Sequence, residues 1–179
     1  NCLSEAIMSL SFARDHGFDV PQMYVMVMES MVKNGMIDRA CMLLDDLFKR
    51  CSVESVKWHH VLKVYADIDR LDVAERILTR LEERKIVPNT VCVTALLSSV
   101  RREYEPHPEK LDAAMTRWVT RIQRMGCTLD VAAFNYIIEL FSKLALMREV
   151  ENWMQRMSTG NVVADVHTYT SIIECCAKC

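Results

Sequence analysis

The chain has 179 residues, 24 Asp and Glu against 22 Lys and Arg, and a formal net charge of −2, which excludes a global basic field recruiting nucleic acid or anionic membrane. It is 51% hydrophobic and 26% charged, a globular rather than disordered balance. Four Gly and four Pro are too few for the turns of a sandwich or barrel, and no uncharged apolar stretch reaches the ~20 residues of a membrane span.

Taken in chain order, residues 1–19 read as a helix and corner, "SEAIMSLSFARDHGFD", the second half of an earlier unit. A first amphipathic run then opens at Val20, "VPQMYVMVMESM", and similar runs open at Ser55, Thr90, Val131 and Val166. In each, the fourth residue is large and apolar: Met23, Trp58, Val93, Phe134 and Tyr169. The seventh and eighth are apolar as well, ending with Ile137–Ile138 and Ile172–Ile173, and the eleventh position holds Ser30, Tyr65, Val100, Phe141 and Cys176. This i, i+3, i+4, i+7 spacing predicts one buried stripe per helix. A second amphipathic run follows in each unit, as in "RLDVAERILTRLEE" and "LMREVENWMQRM", and a short polar or Pro-containing corner closes it.

The starts at 20, 55 and 90 are 35 residues apart, as are 131 and 166. Only the unit 90–130 is longer, and its six extra residues fall near "REYEPHPEK", where Pro106 and Pro108 forbid a continued helix. The predicted fold is therefore all-α: stacked antiparallel helix-turn-helix repeats of about 35 residues forming an α-solenoid, since one pair cannot bury its stripe alone. The predicted units are 1–19, 20–54, 55–89, 90–130, 131–165 and 166–179. An array that begins and ends in mid-repeat is expected to be a piece of a longer one, and Asn1 in place of Met leaves room for an upstream segment.

Tetratricopeptide repeats run 34 residues with a Trp–Leu-Gly–Tyr signature that is absent here. Units such as "DVAAFNYIIELFSKLALMREVENWMQRMSTGNVVAD", and junctions such as "KIVPNTVCVTALL" and "VVADVHTYTSII", instead resemble the pentatricopeptide repeat over essentially the whole chain. The resemblance implies an organellar single-stranded RNA-binding protein, mitochondrial or chloroplastic, acting in RNA processing, stability or translation, with one base read per repeat on the concave first-helix face. It places base-specifying residues at the fifth position of each first helix and at the last residue of the repeat. Here these pair Tyr24 with Glu54, His59 with Asn89, Thr94 with Asp130, and Asn135 with Asp165; Thr170 opens a further pair. In the family, Thr with Asp tends to select G and Asn with Asp tends to select U, implying a partial site GU; the Tyr24 and His59 pairs match no base. The resemblance also implies that Val56 and Val91 wedge between bases, a role for which Ala132 is small and Pro21 and His167 depart. Arg101 and Arg102 are the phosphate-binding candidates, although the first helices carry few cations for this purpose.

A structural or protein-binding subunit of a large organellar ribonucleoprotein, such as a mitochondrial ribosome, is the alternative for a solenoid of near-neutral charge. Little in the chain points to an enzyme, to a metal, to a small-molecule cofactor or to a membrane. His59 and His60 are helical neighbours ~100° apart and cannot share a metal. His107 has no companion ligand, and Asp45–Asp46 and Glu82–Glu83 read as solvated helix faces. The eight cysteines, 2, 41, 51, 92, 127, 175, 176 and 179, sit in apolar helical patterns and read as reduced core residues. Cys176 and Cys179 have the spacing of a zinc half-site, but zinc needs four ligands. In register, Cys176 is expected on the buried stripe, and Cys175 and Cys179 toward solvent.

Overall fold

A computed structural model describes residues 2–18, 21–50, 61, 64 and 71–178. Among them, all regular structure is helical. The helices are α1 (Cys2–Asp15), α2 (Pro21–Lys33), α3 (Ile37–Arg50), α4 (Leu71–Glu83), α5 (Thr90–Tyr104), α6 (Pro108–Arg124), α7 (Val131–Lys143), α8 (Met147–Thr159) and α9 (Val166–Lys178). The chain divides into two compact units, residues 1–80 and 81–179.

Short corners punctuate the helices, and their chemistry is local. At the ends of α1, α2, α4, α6, α7 and α8 the chain reverses through a residue of positive φ: Gly17, Gly35, Lys85, Gly126, Ala145 and Asn161. A backbone N–H then reaches back to the last turn, as Met36 does to Met31 O and Cys127 to Ile122 O. This closure satisfies carbonyls that the helix leaves orphaned. The next helix starts on a side-chain cap: Asn89 Oδ1 accepts the Cys92 N–H at 2.9 Å, and Asp130 Oδ1 accepts that of Ala133 at 2.9 Å. Both caps are extended in backbone, as a residue just outside a helix must be. Pro106 follows the end of α5, and Pro108 opens α6, where its missing N–H costs nothing. The additional residues lengthen this pair to 15 and 17 residues, against 13 and 13 for α7 and α8.

In residues 1–80, α2 packs between α1 and α3. Asp46 on α3 gathers three partners: the Tyr24 hydroxyl donates to it at 3.0 Å, Arg50 at 2.9 Å, and Arg14 of α1 lies 3.2 Å away. Partial burial opposes the charge on Asp46, but the bonds from Arg50 and Tyr24 and the nearby Arg14 outweigh it, so its carboxyl titrates below the ordinary value.

In residues 81–179, α5 pairs with α6 and α7 with α8, while α5, α7 and α9 stack in that order. Two different faces of the first helices do this work. Val93, Leu97 and Val100, and likewise Phe134, Ile138 and Phe141, form the large apolar face. The face stacking on the preceding first helix is small and partly polar: Ala133 and Leu140 on α7, and Thr168, Ser171 and Cys175 on α9, all buried. Trp118 and Trp153 fill equivalent places on α6 and α8. The Trp153 indole N–H donates to Asp112 Oδ1 at 2.9 Å, tying α8 to α6, and Arg156 lies over its ring at 4.4 Å.

Candidate nucleic-acid interface

Asp130 and Asp165 each cap a first helix at a repeat corner. In the repeat 131–165 the fifth-position side chain meets the corner carboxylate directly: the Asn135 Nδ2–H donates to Asp165 Oδ1 at 3.0 Å. Asn135 is only 6% exposed, so its amide is held rather than free to reorient. The same Asp165 oxygen caps α9 by accepting the Thr168 N–H at 2.9 Å, and Thr168 Oγ1 accepts the Asp165 N–H at 3.1 Å. This reciprocal arrangement is a capping box with Thr in the usual Glu position. These bonds, from the Thr168 backbone first and the Asn135 amide second, hold the Asp165 carboxyl below its ordinary range. Among the described residues Asp165 Oδ2 has no hydrogen-bond partner.

The Thr94 and Asp130 pair is built differently. The half-buried Thr94 hydroxyl donates to its own helix at Thr90 O, 3.0 Å away. Asp130 uses one oxygen as a cap. Asn89 also caps, its partner position His59 lying outside the described residues together with Glu54 and Val56. Thr170 is exposed and donates to Val166 O at 2.8 Å. Val91 is 52% exposed. Arg101 is exposed at the end of α5 and Arg102 half-buried.

Tyr24 requires a correction. The fifth-position expectation presents it to a base, but it is 1% exposed and bonded to Asp46. The left-handed residue after α2 is Gly35 and that after α7 is Ala145, an offset of 110 where starts at Val20 and Val131 imply 111. On the observed offset Tyr24 matches Phe134, a fourth-position core residue, and Val25 takes the fifth place. Both Tyr24 and Val25 are buried.

The comparisons agree with this architecture. A pentatricopeptide repeat domain model matches residues 49–101, and the PPR repeat family model matches residues 129–178, together more than half of the chain. The chain belongs to the pentatricopeptide repeat family. A chloroplastic pentatricopeptide repeat-containing protein of Arabidopsis thaliana is 26% identical over 83 residues, 45% of this chain and 17% of that protein. The crystal structure of pentatricopeptide repeat protein PPR10 from maize superposes with a TM-score of 0.72 at 16% identity, over 96% of this chain and 24% of PPR10. PPR10 in complex with an 18-nt psaJ RNA element superposes at 0.61 and 17% identity, over 98% of this chain and 25% of its own. This chain therefore spans only a minor part of each of these relatives.

The last pentatricopeptide helix also departs from expectation. Cys175 is buried and Cys176 exposed, the reverse of the predicted order, and Tyr169 and Ile173 are 56% and 68% exposed. Among the described residues α9 packs mainly on α7 and lightly on α8, and the buried Thr168, Ser171 and Cys175 mark its covered face. His167, at the second position of α9, lies 3.3 Å from Glu139, which also pairs with Lys143. The Lys143 bond, ahead of a smaller opposing effect of burial, lowers the Glu139 pKa. Thr168 was not predicted as a site residue; its signal was a hydroxyl three places after a corner Asp.

Among the described residues, no three His, Cys, Asp or Glu side chains gather as a metal site would require, and no helix is long and apolar enough to cross a membrane. Acidic pairs read as solvated faces make ion pairs: Asp45 with Arg76 at 2.7 Å and Glu82 with Arg121 at 2.9 Å. A cleft of about 620 Å³ opens between α6 and α8, lined by Thr116, Gln123, Trp153 and Arg156 among others.

Proposed function

We infer that this chain is an RNA-reading module of an organellar pentatricopeptide repeat protein. It binds single-stranded RNA one base per repeat, with Thr94 and Asp130 on a G and Asn135 and Asp165 on the following U. The observation carrying this reading is the 3.0 Å bond between Asn135 and Asp165, the two residues the family resemblance places on one base. A held amide beside a carboxylate offers a donor and an acceptor edge, which is what a pyrimidine's Watson–Crick edge needs. That PPR10 is solved with an RNA element supports the ligand class, and the chloroplastic relative supports an organelle, chloroplast or mitochondrion. The service performed is RNA processing, stability or translation.

Fluorescence anisotropy with short oligonucleotides tests it. An oligonucleotide containing GU should bind more tightly than one containing AU or GC, and Thr94→Ala and Asn135→Ala should each weaken discrimination at one position only. If both variants are silent while Gln123→Ala or Arg156→Ala abolishes capture of an organellar protein, the α6/α8 cleft is the working surface and the chain is a ribonucleoprotein scaffold.

A further inference from the structure

We propose that Thr168, at the third position of the next repeat's first helix, is a positioning residue that sets which end of the Asn135 amide faces RNA, and so makes this repeat prefer uracil to cytosine. The inference rests on the reading that Asn135 and Asp165 contact a base.

Thr168 is fully buried on the face of α9 that stacks on α7. Its hydroxyl lies 2.5 Å from Asn135 Oδ1 and 3.0 Å from Asp165 Oδ1. One lone pair is occupied by the Asp165 N–H, and the single hydroxyl proton goes to the nearer acceptor. Asn135 is then fixed at both ends: Oδ1 accepts from Thr168, and Nδ2 donates to Asp165. Turning the amide over would set its oxygen against the Asp165 carboxylate. The orientation matters because uracil presents N3–H as a donor where cytosine presents N3 as an acceptor, so reversing the amide exchanges the preferred base. The equivalent position beside the Thr94 and Asp130 pair is Ala133, which has no hydroxyl, and there Thr94 is fixed by its own helix instead. Of these two repeats, the one with the amide, the side chain that has two ends to distinguish, is the one with the third-position hydroxyl.

Thr168→Val keeps the shape and removes the hydroxyl; Thr168→Ser keeps the hydroxyl. With the 179-residue chain and oligonucleotides differing only as GU or GC, Thr168→Val should reduce the preference for U by roughly three- to tenfold, the usual range for one lost hydrogen bond. Thr168→Ser should retain it. In the RNA-free protein, the Asn135 side-chain NH2 signals should exchange with solvent faster in Thr168→Val than in wild type or Thr168→Ser, with unchanged backbone spectra elsewhere. Discrimination that Asn135→Ala removes but Thr168→Val leaves intact would overturn the inference while leaving the RNA reading standing. Absence of any effect of Asn135→Ala on RNA binding would overturn both.

Discussion

Tyr24 shows how a single residue can hold two readings until its neighbours are known. The run from Met23 to Met28 is apolar at all six places, so a helical stripe can be drawn through it in more than one phase. The tie is broken by Asp46, which accepts the Tyr24 hydroxyl inside the α2–α3 contact. Tyr24→Phe should therefore destabilise the fold by about 1 kcal/mol, the net worth of a buried hydrogen bond, measurable in denaturant unfolding, with RNA affinity of the folded protein unchanged. A loss of RNA binding without loss of stability would restore the base-facing role. The cysteines give a second residue-scale test. Burial pushes the Cys92 thiol up to about 11, and Cys175 is enclosed while Cys176 is exposed. Under native conditions a thiol reagent should modify Cys176 rapidly, and Cys92 and Cys175 only on unfolding; mass spectrometry of limited labelling reads the order.

At the scale of elements, the corners close with backbone hydrogen bonds that reach back to the last helical turn. Ala145 occupies the left-handed region after α7 with φ of 55°, where a Cβ is strained and glycine is not. Ala145→Gly is expected to stabilise the fold by up to about 1 kcal/mol after the greater chain entropy of glycine is subtracted, read as a higher unfolding midpoint. Asp46 and Asp165 add a pH dependence. Both titrate below the ordinary 3.8 in the folded state, so their stabilisation is complete above that value and lost as pH falls through the folded pKa. Acid unfolding should begin below about pH 4, and Asp46→Asn should flatten that limb of the stability curve. An unchanged acid limb in that variant would assign the dependence to other carboxylates.

For the molecule as a whole, charge sets what kind of RNA binding is achievable. A net charge of −2 gives no diffuse attraction, and the phosphate candidates are Arg101 and Arg102. If these two neutralise one phosphate each, the log–log salt slope should be near −1.4, and Arg101→Ala should make it shallower by about 0.7. A slope several-fold steeper would mean that other cations carry the backbone. Among the described residues, the helical fold and the caps at Asn89 and Asp130 were legible in the sequence, because amphipathic spacing, Pro placement and capping Asn or Asp act within a few residues of themselves. Asp130 and Asn89 cap the helices whose starts they mark. What the sequence could not decide was which of two faces of a helix is covered. Positions three, six and ten on α9 are Thr168, Ser171 and Cys175, too small and polar to register as a stripe, yet they are the buried ones. The large residues Tyr169 and Ile173 advertise a core and lie in solvent. Sequence by itself determined the repeat and its chemistry at the corners; only tertiary structure decided the phase of α2, the burial order on α9 and the hydroxyl beside Asn135. The physical reason is that burial depends on which neighbour is present and how closely it approaches, whereas helix periodicity is a property of the segment alone.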